Sequence, residues 1–326
     1  MPLTHATGAI LGLAVGDALG APYEFTASPD LTLTREAQDM TGGGGVGWQP
    51  GEWTDDTSMA VPILREVAAG ADLLDSVTQD RLVLAWRNWA RIAPDVGIQT
   101  RRVLSEMTEP TAEQAREQAW NVHREAGRSA GNGSLMRTAP VALAYAHSTG
   151  DCDDISAAAR ALSDLTHFEA DAGDACALWT VAIWRAVRGE EFALIDQLEA
   201  LPSQRRDRWR ALLGQAEDGW PPAFPQNGWV VHALQAAWAA VHRAGLNPAD
   251  RSTLQPERLP PVYEMAINAG NDTDTVAAIA GSLAGALVGA DAVPSGWLEP
   301  LHGWPDLDAA SLTDLAVQAH GRGSGA

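Results

Sequence analysis

Gly8, Gly12, Gly16 and Gly20 fall every fourth residue through GAILGLAVGDALG, a stretch in which Leu11, Val15 and Ala18 mark one face of a helix. A glycine inside a helix costs roughly 1 kcal/mol relative to alanine, so four on one ridge imply that another backbone approaches it closely. A matching ridge lies near the other end of the chain. There Ala277, Gly281, Gly285 and Gly289 repeat the spacing, opposite an apolar face of Val276, Ile279, Leu283 and Leu287. The spacing predicts that the two helices cross ridge to ridge and hold the two ends of the chain together.

Each of these ends carries an acidic run. Gly51 to Ala60, GEWTDDTSMA, and Ala269 to Thr275, AGNDTDT, both set two aspartates beside a threonine where a glycine-rich loop turns into a helix. Either run alone also fits a helix N-cap. Gathered at one point, with Glu24 and Glu52 as further acids, the four aspartates would raise one another's pKa or repel unless a cation lay between them. The donors are carboxylates and hydroxyls without His or Cys, a set that favours Mg2+ or Mn2+ over Zn2+. A calcium-binding EF-hand loop is excluded at the second run: the twelfth position from Asp272 is Leu283, and the sixth is not glycine.

The net charge of -20 argues against non-specific binding to nucleic acid or an anionic membrane. The chain contains no lysine, so all 22 of its Lys and Arg positions are arginine, which removes P-loop and Schiff-base lysines from consideration. Cys152 and Cys176 make neither a disulfide framework nor a zinc ribbon. The apolar run after His5 lacks a basic leader and is broken by glycines and Asp17, and Val276 to Ala290 is too short to span a bilayer. These features predict a cytoplasmic monomer without a membrane partner.

Ala21 to Trp53 has no sustained period and contains TGGGGVGW, a loop. Helices are predicted over Thr57 to Ala69, with a bend at Pro62, and over Gln79 to Ile92, with Leu82, Ala85, Trp86 and Trp89 inward. Further helices are predicted over Gly97 to Met107, Thr111 to Arg124, Ser134 to His147, Asp154 to Leu165, Glu169 to Arg188 and Arg205 to Gln215. Glu217 to Gly228, EDGWPPAFPQNG, reads as a loop over the site; helices over Trp229 to His242 and Pro261 to Asn268 lead into the second acidic run. A weak helix follows Leu307, and Gly321 to Ala326 is expected to be disordered, leaving one all-α domain over residues 1–320.

Three other features carry candidate chemistry. The glycine-rich turn GNGSLMR, Gly131 to Arg137, could receive phosphate oxygens or simply cap a helix. Glu24, beyond the last ridge glycine, could act as general acid or base, orient a ligand group, or be a surface acid. His167 could meet a ligand hydroxyl or pack in the core, and Trp229 could stack on a purine or belong to the core.

GAILGLAVGDALGAPYE, GEWTDDTSMA, GNGSLMRTAPVAL, THFEADAGDA, GWVVHALQAAWAA and AGNDTDTVAAIAG, in that order from about Thr7 to Gly289, resemble the ADP-ribosylglycohydrolase family. The resemblance implies a compact orthogonal multi-helix fold, a centre of two Mg2+ or Mn2+ ions, and cleavage of the glycosidic bond at the distal ribose of ADP-ribose. The metal ligands it implies are Thr54, Asp55, Asp56, Asp272, Asp274 and Thr275, with Glu24, Asp55 and Asp272 as catalytic acids. Asn132, Gly133, Ser134, Met136, His167 and Trp229 match positions lining the ADP-ribose cleft, although Trp229 stands where many members have Tyr. Asn271 replaces a common Gly, a change that Asn tolerates in a left-handed turn. The partner so implied is ADP-ribose, or a protein, small molecule or nucleic acid carrying it. The alternatives are a catalytically silent ADP-ribose binder and a metal-dependent phosphohydrolase acting on a related nucleotide.

Overall fold

The structure, a computed structural model, describes residues 2–148 and 152–322. The first half of the chain forms α1 (Pro2–Gly20), α2 (Asp55–Ala68), α3 (Ser76–Ala90), α4 (Ile98–Glu106), α5 (Ala112–Ala126), α6 (Ala139–Ala144) and α7 (Cys152–Ser163). The second half forms α8 (Ala170–Val187), α9 (Ser203–Asp218), α10 (Val230–Arg243), α11 (Leu259–Ile267), α12 (Thr273–Val288), α13 (Ser295–Leu298) and α14 (Ala309–Arg322). Two two-residue strands, His302–Gly303 and Leu307–Asp308, pair antiparallel and are the only sheet among the described residues. The fold is therefore all-α. Among the described residues, no helix is long and apolar enough to cross a membrane.

The two glycine ridges meet, and their register is specific. A Cβ added at Gly8 would lie 2.2 Å from the Gly285 oxygen, at Gly12 2.2 Å from the Gly281 oxygen, and at Gly16 2.2 Å from the Ala277 oxygen. At Gly20 it would lie 2.4 Å from the Asp274 Cα, so the crossing of α1 and α12 sets the end of α1 directly on the second acidic run. Gly289 is not a rung of this ladder. With φ of 88° it ends α12, and a Cβ there would meet only Thr4. Every residue of α12 from Thr273 to Leu287 is buried, as is all of α8 except Ala170 and Arg185. These two helices are apolar nearly all round because both lie inside the main core, which extends from Ala6 to Ala319.

Several boundaries differ from the sequence expectation. Residues 134–137 form turns, and the helix predicted there begins only at Ala139, with Pro140 in its first turn. Proline's missing N–H is harmless in a first turn, where no intrahelical bond is due. In α3, Val83 is buried while Ala85 is half-buried. The helix α9 runs on to Asp218, which shortens the proline-rich loop. Gly321 and Arg322 close α14 instead of starting a disordered tail; residues 323–326 lie outside the described residues. Large indoles fill the core, and two of them pair their N–H with a carbonyl: Trp86 with that of Met59 at 2.9 Å and Trp179 with that of Ile279 at 3.1 Å.

Candidate active site

The first acidic run opens α2 and the second opens α12. Asp55 and Asp56 lie in the first turn of α2 behind Thr54, and Asp274 and Thr275 lie in the first turn of α12 behind Asp272. Carboxylates at helix N-termini are stabilised by the backbone dipole, which partly offsets their crowding. The chain reaches the second run through Asn271, held in the left-handed region at φ 61°. Its N–H donates to the Thr26 carbonyl at 2.7 Å, while its own carbonyl accepts from the Phe25 N–H at 2.6 Å. This small bridge fixes Glu24 beside Asp272 and Asp274, close enough for one oxygen of each to share a ligand.

The hydroxyls bind the runs together. Thr54 Oγ1 donates to Asp56 Oδ2 at 3.1 Å and reaches Asp274 Oδ2 at 3.5 Å, and Thr275 Oγ1 reaches Asp56 Oδ2 at 3.5 Å. Asn132 Nδ2 donates to Asp272 Oδ2 at 2.7 Å and to the Asn227 carbonyl at 2.8 Å, joining the glycine-rich turn to the cluster. Asn227 in turn accepts from the Asp272 N–H at 3.1 Å. Asp55 Oδ2 accepts from the Gly97 N–H at 3.3 Å.

Asp17 is the residue the sequence reading left out of the site. It is fully buried on α1, with Oδ1 accepting from the Thr54 N–H at 2.9 Å and Oδ2 from the Thr57 N–H at 2.9 Å and hydroxyl at 2.6 Å. The available signal was a carboxylate inside an apolar, glycine-ridged helix, a placement that demands a buried partner. Asp17 also lies within one ligand sphere of Asp56 and Asp274.

The electrostatics are those of crowded, desolvated like charges. Burial, then the charges of Asp272, Asp95, Asp55 and Asp17, push the Glu24 carboxyl up to about 8. Burial and the neighbouring Asp95 and Asp17 push Asp55 up to about 8 as well. Asp17 rises to about 6 through burial, held back by its Thr57 and Thr54 hydrogen bonds. Asp56 and Asp274 are driven well above the usual carboxylate range, and Asp272 is raised, in each case by burial first. Asp56 Oδ1 is buried and has no hydrogen-bond partner among the described residues. An orphaned carboxylate oxygen among the acids Asp17, Glu24, Asp55, Asp272 and Asp274 fits a cation better than any protein donor on hand.

A cavity of about 330 Å³ opens onto the cluster. Glu24, Asp55, Asp272 and Thr275 form its acidic floor, and Asn132, Gly133, Met136 and His167 line it as the motifs suggested. Asp95, Gly97, Ile98, Gln99 and Thr100 add a wall from the start of α4 that no motif had marked. Two expected residues lie elsewhere. The Ser134 hydroxyl turns into the core, where Ser163 Oγ donates to it at 2.9 Å and the Cys176 thiol at 3.5 Å. Trp229 lines a neighbouring cavity of about 520 Å³, which shares Gln99, Gly131 and Gly228 with the first. Glu52 lies outside the cluster and accepts from the Gln49 N–H at 2.8 Å.

Comparison with known proteins points the same way. The model for the ADP-ribosylglycohydrolase family matches residues 2–325. ADP-ribosylarginine hydrolase Tri1 of Pseudomonas putida (strain GB-1) is 32% identical over 311 residues, 91% of this chain and 74% of that protein. ADP-ribosyl-(dinitrogen reductase) glycohydrolase of Rhodospirillum rubrum is 31% identical over 307 residues, 92% of each chain. A solved structure of an ADP-ribosylglycohydrolase-related protein complex is similar over 99% of both chains, with a TM-score of 0.69 and 29% identity.

Proposed function

The chain belongs to the ADP-ribosylglycohydrolase family, and from that premise we propose that it hydrolyses the glycosidic bond between ADP-ribose and a protein side chain or small conjugate, using two divalent cations, Mg2+ or Mn2+. The observation that carries the reading is the orphaned Asp56 Oδ1, buried among acids contributed by both ends of the chain.

Thr54, Asp55, Asp56, Asp272, Asp274 and Thr275 are the residues that would hold the cations. When bound, the cations supply positive charge that polarises the ribose hydroxyls and lowers the pKa of water. The remaining work falls to the chain itself. Asp17 accepts both backbone N–H groups that fix the first run, so its oxygens are already committed, and its task is to orient. Asn132 holds the Asp272 carboxylate in place. Asp55 and Asp272 face the cavity and stabilise the positive charge that develops on the sugar as the bond breaks. Glu24 lines the same cavity, and in this reading it would move the proton between water and leaving group. The adenosine end would extend past Gly131 and Gly228 into the cavity beside Trp229.

Tri1 is named for arginine-linked ADP-ribose, which makes that linkage the first to test. The enzyme should be offered arginine-, serine- and nucleobase-linked ADP-ribose and O-acetyl-ADP-ribose, each with Mg2+, with Mn2+ and with EDTA. The expected product is ADP-ribose with its pyrophosphate intact, from at least one linkage and lost in EDTA. Release of AMP and ribose phosphate would make the protein a phosphohydrolase, and binding of ADP-ribose without cleavage of any linkage would make it a silent binder.

A further inference from the structure

Arg137, Thr166 and His167 form a line of buried polar groups that ends at the cavity wall. Arg137 is buried, and among the described residues none of its hydrogen bonds goes to a carboxylate. Its guanidinium lies over the Trp86 ring at 4.0 Å and donates through Nη2 to the Leu162 carbonyl at 3.2 Å and to Thr166 Oγ1 at 2.8 Å. Thr166 Oγ1 is in turn 2.8 Å from His167 Nδ1. We infer that Arg137 and Thr166 are positioning residues that lock His167 as the tautomer protonated on Nε2, so that the ring offers a hydrogen-bond donor to an oxygen of the bound ADP-ribosyl group. The inference rests on the proposed function for the identity of the ligand, though the tautomer itself follows from the protein alone.

A guanidinium only donates, so the Thr166 hydroxyl accepts from Arg137 and has one proton left to give. Were His167 Nδ1 also a donor, that hydroxyl proton would be buried with no acceptor, because Thr166 is wholly inaccessible to solvent. Thr166 therefore donates to an unprotonated Nδ1, and the ring proton sits on Nε2. Burial and the Arg137 charge hold the imidazolium pKa down to about 3, so the ring stays neutral and its one proton stays on that face.

The Nε2 edge meets the glycine-rich turn. A Cβ added at Gly131 would lie 3.2 Å from His167 Nε2, and one at Gly133 would lie 3.1 Å from Cε1. The two glycines thus leave room for the ring beside the turn, and Gly131, Gly133 and His167 all line the cavity. Gln99 pins the same segment by donating to the Thr166 carbonyl at 2.9 Å. Nε2 itself makes no hydrogen bond among the described residues, which leaves its proton for a ligand.

Nitrogen NMR of the full chain labelled at histidine, with the His167 signals assigned by their loss in His167→Gln, reads the tautomer directly. The expected result is a proton on Nε2 and none on Nδ1; the reverse would overturn the inference. Calorimetric binding of ADP-ribose in Mg2+ supplies the second readout. Thr166→Val, which keeps the shape and removes the hydroxyl, should weaken binding roughly tenfold, and Thr166→Ser should restore it to within about twofold. Equal affinity for wild type and Thr166→Val would also overturn it. If the wild type binds no ADP-ribose, the proposed function fails while the NMR result still decides the tautomer.

Discussion

At the scale of single residues, the site is built from groups that folding alone would not choose. Asp56 has one oxygen shared by two threonine hydroxyls and another with no partner among the described residues. Asp56→Asn removes one charge from a crowded buried set. We predict that it raises the thermal midpoint of the metal-free protein while abolishing release of ADP-ribose, the usual opposition of stability and function at a strained site. Asp17→Asn acts differently, because an amide cannot accept from both the Thr54 and Thr57 N–H groups. Divalent-cation affinity, measured by calorimetry, should fall about tenfold or more, since the loss is of a group that orients the ligands. The two runs were legible because oxygen donors sit side by side in the sequence. Asp17 was not, since it lies 37 residues from Thr54 and reads locally as an interruption of an apolar run. Ser134 shows the opposite case: it sits in the glycine-rich motif, but its side chain turns toward Ser163.

At the scale of elements, the glycine ladder between α1 and α12 is what makes the site possible. It was readable because its four-residue period survives in both helices, and because such a cost in helix propensity needs a tertiary cause. The contrast between two glycines tests this. Gly12→Ala would drive a Cβ to 2.2 Å from the Gly281 oxygen and should destabilise the fold by at least about 2 kcal/mol in chemical denaturation. Gly214→Ala, in the middle of α9 with open space around it, should stabilise by roughly 0.5–1 kcal/mol. What the sequence did not disclose is the wall from Asp95 to Thr100. Those residues carry no motif, and only the packing of α4 beside Asp55 gives them a place at the cavity. The early end predicted for α9 likewise came from local polarity, whereas its buried Trp209, Leu213 and Ala216 carry the helix further.

At the scale of the whole molecule, an acidic chain brings the buried Asp17, Asp56 and Asp274 together at one point without an arginine partner among the described residues. Asp17 at about 6, and Asp55 and Glu24 at about 8, all lie above the unfolded carboxylate value of about 4, so the folded metal-free state binds more protons than the unfolded one. Their contribution to stability is therefore fully present below about pH 4 and is lost as pH rises through about 6 to 8. A bound cation relieves the same repulsion, so the rise in thermal midpoint on adding Mn2+ should be larger at pH 8 than at pH 6. The central claim is that the two ends of the chain form one centre for two cations. Its most direct test is the stoichiometry of Mn2+ bound per chain, followed by electron paramagnetic resonance, in the wild type, in Asp56→Asn from the first run and in Asp274→Asn from the second. Two Mn2+ ions per wild-type chain are expected, with loss of tight binding when either run is altered. Full Mn2+ binding in both variants would contradict the claim.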